Sequence, residues 1–206
     1  MAPVTVNRPA LLAARQTLKT LVGPSVRLLR GFRVEGLGRL PRRRRPLILA
    51  SNHAAFVDSV YLILAVSPRF TICGARPRLF RNPGLRLLMG VANILRVDGR
   101  EQFLRDTRAL LAAGEMILIY PEMGRNPEGL GRFETWAAEA ALLSGAPLLP
   151  CYLYGTTRGH RGAPRLIVGR EFEPFGDPET LTGCLRRAIG ALALESGTVA
   201  VETRCS

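Results

Sequence analysis

The sequence predicts a single α/β domain in which a mostly parallel or mixed central sheet is flanked by helices. The first indication is that short apolar runs alternate along the chain with segments of helical periodicity. The second is composition: of 206 residues, 47% are hydrophobic and only 6% are aromatic, which favours an Ala- and Leu-rich α/β domain over an all-β one. A chain of this length is usual for one domain with a buried core.

Predicted helices and strands alternate from residue 10 to residue 195. The strands lie near residues 47–50, 70–74, 93–97, 116–120, 148–154 and 165–168. The helices lie near residues 10–30, 58–66, 83–91, 101–113, 134–144 and 178–195. This order is the pattern expected of a sheet with helices packed against it.

Residues 1–33 are predicted to form an amphipathic helical segment that precedes an α/β domain over residues 34–206. Apolar and basic side chains recur there at helical spacing. The apolar positions are Leu11, Ala14, Leu18, Leu21 or Val22, Val26 and Leu29, and the basic ones are Arg8, Arg15, Lys19, Arg27 and Arg30. The pattern indicates a helix on a membrane surface, or two helices divided at Gly23-Pro24. The alternative is an ordinary helix packed on the domain.

One of the two histidines follows the first predicted strand. The apolar run 46–50 leads into a loop at Ser51-Asn52, so His53 lies at a strand's carboxyl end, where ligand sites of open α/β sheets gather. A neutral imidazole accepts a proton near pH 7, and Asp58 is suited to fix its tautomer. These residues suggest a general base and its orienting carboxylate. The alternative is a polar loop residue followed by a helix-capping aspartate.

A second strand end carries charged side chains. The apolar run 116–120 leads into the loop 121–129, which contains turn residues and charges. Arg125 offers a planar set of donors that suits a phosphate, and Gly124 allows the backbone to approach a ligand. For Glu122 we favour a role as partner of the loop's arginine over a role in a pocket. The alternative for the whole loop is an exposed turn.

Together these two segments resemble the glycerolipid acyltransferases, the family that includes 1-acylglycerol-3-phosphate acyltransferase. Its hallmark blocks are Asn-His-x4-Asp and Pro-Glu-Gly-Thr-Arg, which correspond here to Asn52-His53-x4-Asp58 and Pro121-Glu122-Met123-Gly124-Arg125. Three further segments are similar to the family's pattern: an approach strand at 34–36, a second block at 94–100 and a fourth block at 145–156. The resemblance covers roughly residues 34–173.

The departures from the family's pattern fall on the side of the acyl acceptor. Met123 stands where the family prefers glycine, Gly124 where it prefers threonine or valine, and Gly99 where an arginine is expected. Ala55 replaces a frequent serine. The His-Asp pair is therefore intact, whereas the predicted acceptor pocket is altered.

The resemblance implies an acyltransferase in which His53, oriented by Asp58, removes a proton from an acceptor hydroxyl. That hydroxyl then attacks the thioester of acyl-CoA or of an acyl carrier protein, and no other cofactor is implied. The acceptor implied is a lysophospholipid such as 1-acylglycerol 3-phosphate, with another lysolipid or an amine-bearing lipid as alternatives. The substrate-binding residues implied are Asn52, Arg96, Arg100, Glu122, Gly124 and Arg125.

The formal net charge is +13, and Lys19 is the sole lysine among the basic residues. A positive surface attracts anionic lipids, phosphorylated substrates, CoA or an acidic carrier protein. Nucleic acid is not expected, because the interleaved aromatics and the spacings of DNA-binding motifs are absent. No membrane-spanning segment or signal peptide is expected. With the resemblance, this predicts a peripheral, monotopic protein on the cytoplasmic face of the cell membrane.

The remaining chemistry-bearing residues favour no metal site and no disulfide framework. The four cysteines have no Cys-x-x-Cys spacing and are interpreted as core or terminal thiols, and His160 is predicted to lie in a solvated loop. Two other classes of function stay open at this point. One is a non-catalytic basic lipid- or RNA-binding protein. The other is a serine hydrolase that uses Ser51 or Ser59, although a Gly-x-Ser-x-Gly elbow is absent.

Overall fold

The computed structural model of the chain describes residues 31–41, 45–65, 70–75 and 94–197. The predicted helices near 10–30 and 83–91, and with them the amphipathic segment 1–33 up to residue 30, lie outside the described residues. No helix in the described part of the chain combines the length and the apolar character needed to cross a membrane.

The described residues form one mixed sheet with helices on both faces. The strands are β1 (Arg33–Glu35), β2 (Leu47–Ser51), β3 (Phe70–Ala75), β4 (Ile94–Arg96), β5 (Met116–Ile119), β6 (Leu148–Tyr154) and β7 (Arg165–Val168). The helices are a short 3-10 helix (Leu37–Arg39), α1 (Asp58–Ala65), α2 (Arg100–Ala112), α3 (Trp136–Ser144) and α4 (Pro178–Glu195). The predicted α/β class is confirmed, and the predicted strands and helices in the described ranges match the observed ones within about two residues at each end.

The strand order is β1-β7-β6-β2-β5-β3-β4, which places β2 near the centre. Strand β2 pairs in parallel with both β5 and β6, and the parallel pairing continues through β3 to β4. Strand β7 pairs antiparallel with β6, and β1 pairs parallel with β7. Because β2, β5 and β6 run in one direction, the loops that follow them meet at the same edge of the sheet, where ligands bind in open α/β folds.

The central strands are apolar throughout because helices cover both of their faces. Every residue of β2 and of β5 is buried, as expected for parallel strands between two layers. Alternate side chains face opposite layers: Ile48 and Ile117 lie in the core with α2, α3 and α4, whereas Leu49 and Leu118 lie in the core with α1. The sheet is therefore a rigid platform for the loops at its carboxyl edge.

The approach strand expected at 34–36 is β1, and it ends at a glycine for a steric reason. Gly36 has φ 73°, in the left-handed region, and a Cβ built on it would lie 2.5 Å from the carbonyl oxygen of Val168. Glycine alone tolerates both conditions without strain or displacement.

Candidate active site

His53 and Asp58 meet at the carboxyl edge of the sheet. Strand β2 ends at Ser51, α1 begins at Asp58, and the loop between them places His53 Nδ1 3.0 Å from Asp58 Oδ2. The His53 side chain is 18% exposed and that of Asp58 only 1%. The imidazole is thus within reach of a ligand, whereas the carboxylate behind it is sealed from water.

The Asp58 carboxylate also holds the loop in place. Its Oδ2 accepts the backbone N–H groups of Ala54 and Ala55, each at 2.7 Å, as well as the imidazole contact. Among the described residues, Oδ1 has no hydrogen-bond partner. Asp58 is therefore the first residue of α1 and the partner of the histidine, and the N–H groups that its side chain accepts belong to the loop before the helix.

The hydrogen bond to Asp58 fixes what the imidazole can do. A carboxylate is an acceptor, so the Nδ1 atom that faces it carries the proton, and Nε2 is left with its lone pair. No described residue forms a hydrogen bond with Nε2. This is the arrangement in which a histidine can accept a proton from a bound hydroxyl.

Tyr120, which follows β5, covers one face of the imidazole. The two ring centroids are 4.1 Å apart and the ring planes differ by 15°, a stacked arrangement. The Tyr120 hydroxyl lies 2.9 Å from the Ser59 hydroxyl, and the side chain is buried. Burial raises the pKa of Tyr120 far above its ordinary value, so the phenol stays protonated at neutral pH. Sequence reasoning placed Tyr120 in a strand and missed this contact, although its position at the same sheet edge was a signal.

Glu122 joins the two motif loops through backbone groups. Its Oε1 accepts the N–H of His53 at 3.1 Å, and its Oε2 accepts the N–H of Gly131 at 3.0 Å. The N–H of Asn126 in turn donates to the His53 carbonyl oxygen at 2.7 Å. Burial raises the pKa of Glu122, and the two N–H groups oppose that rise. The prediction that Glu122 pairs with the loop's arginine was wrong, because its partners are the backbone N–H groups of His53 and Gly131. These N–H groups belong to two loops that lie side by side only in the folded chain.

Met123 is the one non-glycine residue in the described chain with positive φ, at 48°. That conformation is the left-handed region, which costs a residue with a side chain about 1 kcal/mol relative to glycine. The turn therefore favours glycine at this position, and methionine occupies it at a cost in backbone strain. At Gly124, by contrast, the one described atom that a Cβ would meet is the Glu122 carbonyl oxygen, at 3.8 Å.

Asn52 is a correction to the predicted set of substrate-binding residues. Its side chain is buried, its Nδ2 donates to the Leu153 carbonyl oxygen at 2.9 Å, and its Oδ1 accepts the Leu153 N–H at 2.8 Å. The amide thus extends the β2–β6 pairing by one step beyond the end of β2. With both ends of the amide committed to backbone, Asn52 holds the strand end that carries His53 and does not face a ligand.

Two of the three predicted phosphate-binding arginines have carboxylate partners. Arg96 donates through Nε to Asp98 at 2.8 Å. Arg100 donates through Nε and Nη2 to Glu139 at 3.0 and 2.6 Å. Burial works to raise the pKa of Glu139, but hydrogen bonds from Arg100 and Thr135 outweigh it and the pKa lies below its ordinary value. Arg100 therefore joins the start of α2 to α3.

Arg125 differs from these two arginines. It is exposed, and no described residue forms a hydrogen bond or an ion pair with its side chain. Its neighbour Asn126 is bonded to the His53 carbonyl oxygen, so Arg125 lies on the loop that is attached directly to the histidine. Of the three arginines, this one has its donors available for an anion.

The geometry does not support the serine hydrolase alternative. Ser51 is fully buried, and its hydroxyl lies 3.4 Å from Asn52 Oδ1. The Ser59 hydroxyl is bonded to Tyr120. Neither serine is hydrogen-bonded to the histidine, as a triad nucleophile must be. In the described residues there is also no cluster of three or more candidate metal ligands, and His160 is exposed in a loop.

Comparison with known proteins adds an independent line of evidence. A family model described as Acyltransferase matches residues 31–154, more than half of the chain. Among solved structures, the fold is similar to that of the 1-acyl-sn-glycerophosphate (LPA) acyltransferase PlsC from Thermotoga maritima. That match has a TM-score of 0.69 and 20% sequence identity, and covers 91% of this chain and 85% of that chain. No curated protein matches the sequence. The matched segment contains the loops that carry His53, Asp58 and Arg125, and the chain therefore belongs to the Acyltransferase family.

Proposed function

We propose that this acyltransferase moves a fatty acyl group from acyl-CoA or an acyl carrier protein to a hydroxyl of a lysophospholipid-type acceptor such as 1-acylglycerol 3-phosphate. The observation that carries the proposal is the 3.0 Å contact between His53 Nδ1 and Asp58 Oδ2, with Nε2 unpartnered by any described residue. An amine-bearing lipid is a second class of acceptor, because the same base would serve it.

The reaction needs one proton transfer and one acyl transfer. His53 Nε2 takes the proton of the acceptor hydroxyl as its oxygen attacks the thioester carbonyl carbon. This attack forms the C–O bond of the new ester. Collapse of the tetrahedral intermediate then restores the carbonyl, breaks the C–S bond and passes the proton from Nε2 to the leaving thiolate. The Asp58 carboxylate stabilises the imidazolium formed in between. No covalent acyl-enzyme is required.

An apolar rim beside His53 supports a lipid substrate. Phe56, Val57 and Val60 are 54%, 40% and 40% exposed, and they lie in the loop and first helical turn around Asp58. Neighbouring exposed apolar side chains of this kind offer a surface on which acyl chains can pack. Their contact with acyl chains would remove that surface from water near the reacting atoms.

Arg125 is the residue we propose for the acceptor's phosphate. Its loop is tied to His53 by the Asn126 contact, and its guanidinium is not paired with any described carboxylate. Arg96 and Arg100 make weaker candidates because a bound phosphate would have to compete with Asp98 and Glu139.

We further propose peripheral attachment to the cytoplasmic face of the membrane. The proposal rests on the net charge of +13 and on the basic amphipathic pattern of residues 1–33. Vesicle flotation with anionic and neutral lipids tests it, and binding that is equal for both would contradict the electrostatic part.

The direct test of the reaction is release of free thiol from acyl-CoA in the presence of a panel of acceptors. His53→Gln should lower turnover by at least about 100-fold, the usual contribution of a general base. His160→Gln is the matched control, because it removes the other histidine from an exposed loop. Turnover that survives in His53→Gln would refute the proposed base. Binding of lipids without any turnover in the parent protein would favour the non-catalytic alternative.

The phosphate assignment has its own test. Arg125→Ala should raise the KM of phosphate-bearing acceptors by roughly 10- to 100-fold, the equivalent of one charge-assisted contact, while the KM of acyl-CoA changes little. Arg108→Ala, an exposed arginine on α2, is the control for loss of one positive charge. Equal losses in the two variants, or equal losses for phosphate-bearing and neutral acceptors, would contradict the assignment.

A further inference from the structure

We infer that Tyr120 is a positioning residue for His53, held in place by Ser59, so that the imidazole presents only its Nε2 edge and one face to substrates. The inference rests on the proposed function, in which Nε2 accepts the proton. It adds a residue that neither motif contains, because Tyr120 precedes the Pro121 block and Ser59 follows the Asn-His-x4-Asp block.

One hydrogen bond leaves a ring free to swing. The contact between His53 Nδ1 and Asp58 Oδ2 fixes one atom of the imidazole but permits rotation about the line that joins the two atoms. The stacked Tyr120 ring, with centroids 4.1 Å apart, blocks that rotation on one side. The two contacts together define both the position and the plane of the imidazole.

Tyr120 is itself fixed at both ends. Its backbone precedes Pro121, which restricts it to extended conformations, and its carbonyl oxygen accepts the N–H of Met123 at 3.0 Å. At the far end of its side chain, the hydroxyl lies 2.9 Å from Ser59 Oγ. The side chain is also buried, so the ring cannot move aside without opening the core.

Both rings of the stacked pair are hydrogen-bonded to the first turn of α1. Asp58 and Ser59 are the first two residues of α1; Asp58 bonds the imidazole directly, and Ser59 bonds the phenol that covers it. The hydrogen bond to His53 and the hydrogen bond to the ring stacked on it therefore both come from the same helical turn. Misplacement of a reacting group by about 1 Å costs on the order of 100-fold in rate. Loss of either contact should therefore slow the reaction by letting the imidazole move.

The side chains around the imidazole are compatible with a positioning role for Tyr120. Among the described residues, the side chains that contact the imidazole are the Asp58 carboxylate at Nδ1 and the Tyr120 phenol on the ring face, whereas Glu122 accepts the backbone N–H of His53. A neutral aromatic face also favours the imidazolium that forms when Nε2 takes a proton. Tyr120 thus positions the base and is compatible with its protonated form.

The kinetic test compares Tyr120→Leu, Tyr120→Phe and Ser59→Ala with the parent by thiol release. Tyr120→Leu removes the stacked ring and should lower kcat by up to about 100-fold with little change in KM. Tyr120→Phe keeps the ring and should recover most of that loss, leaving roughly a two- to tenfold decrease for the lost hydrogen bond. A loss in Tyr120→Phe as large as in Tyr120→Leu, or a loss confined to KM, would overturn the inference.

A double-mutant cycle tests the tether without the disruptive leucine. Tyr120→Phe and Ser59→Ala remove the same hydrogen bond, so the combined variant should lose no more kcat than either single variant. Losses that multiply would show that the two hydroxyls act separately and would reject the tether.

A spectroscopic test separates this inference from the proposed function. In protein labelled with 13C-histidine, the ring protons of His53 should be shifted upfield by the stacked phenol, with His160 as an exposed internal reference. The shift should persist in Tyr120→Phe and disappear in Tyr120→Leu. Absence of turnover in the parent would refute the proposed function alone, whereas a His53 signal that is the same in all variants would refute the positioning role alone.

Discussion

Replacing Asn52 with alanine tests whether this motif residue holds the fold or binds a substrate. The asparagine amide makes two hydrogen bonds with the backbone of Leu153, at 2.9 and 2.8 Å, and is only 3% exposed. Alanine leaves both the N–H and the carbonyl of Leu153 without these partners. Because the site is buried, water does not freely replace them.

The expected cost follows from those two groups. An unpaired buried donor or acceptor costs about 1–3 kcal/mol, so the two groups together should lower the free energy of unfolding by about 2–6 kcal/mol. That is a large part of the roughly 5–15 kcal/mol by which domains are stable. At about 2–4 °C for each kcal/mol in a chain of this size, Tm should fall by about 4–24 °C.

The measurement is thermal unfolding by circular dichroism, combined with thiol-release kinetics well below Tm. Ser51→Ala is the matched control, since its buried hydroxyl makes only a long 3.4 Å contact with the same amide and its loss should cost far less. A Tm for Asn52→Ala within about 2 °C of the parent, together with a raised KM for the acceptor, would refute the structural role and restore the predicted substrate contact.

Three further predictions concern the groups around the site. Glu122→Gln should lower Tm at pH 7, because one of the two N–H groups that Glu122 accepts loses its acceptor. The raised pKa of Glu122 means that the folded parent takes up a proton as pH falls towards 4.5, so the difference in Tm between parent and variant should widen on acidification. A difference that does not change with pH would contradict this. Gly131→Ala should lower Tm, because its Cβ would lie 2.8 Å from Glu122 Oε2 and would disturb the contact by which Glu122 joins the two motif loops. Gly124→Ala should leave Tm nearly unchanged, because its nearest described contact would be 3.8 Å away. Equal Tm values for the two variants would contradict this role of Glu122. Arg100→Ala should lower Tm at neutral pH, because Glu139 loses its ion-pair partner. The pKa of Glu139 lies below 4.5 in the folded parent, so the loss in Tm should vanish as pH falls through that lowered pKa. A loss in Tm that persists in acid would show that the ion pair is not its source.

Much of the fold was readable from local patterns. The apolar runs at 47–50 and 116–120 predicted β2 and β5 because strands covered on both faces need no polar side chain. Helix α4 began where predicted, at Pro178, and Asp177 caps it by accepting the Thr180 N–H at 2.8 Å. The position of His53 at a strand's carboxyl end also followed from the order of an apolar run and a loop.

The partners of the site residues were not readable in this way. Arg100 and Glu139 are 39 positions apart and Asn52 and Leu153 are 101 apart, so no local spacing pairs them. The same holds for the Tyr120 ring on His53, which depends on β5 lying beside β2. Three of the predicted substrate contacts, at Asn52, Arg100 and Glu122, have protein partners for this reason.

By itself, the sequence determined the class of fold, the placement of most described strands and helices, and a histidine followed by an aspartate at a spacing that one short loop can close. These depend on periodicity and on contacts within a few residues. The tertiary structure decided which side chains remain available to a substrate. Whether a side chain is available depends on strand order, because β6 and β5 bring Leu153 and Tyr120 to either side of the loop after β2. Polar groups that become buried there form hydrogen bonds within the protein, since an unpaired buried polar group is costly.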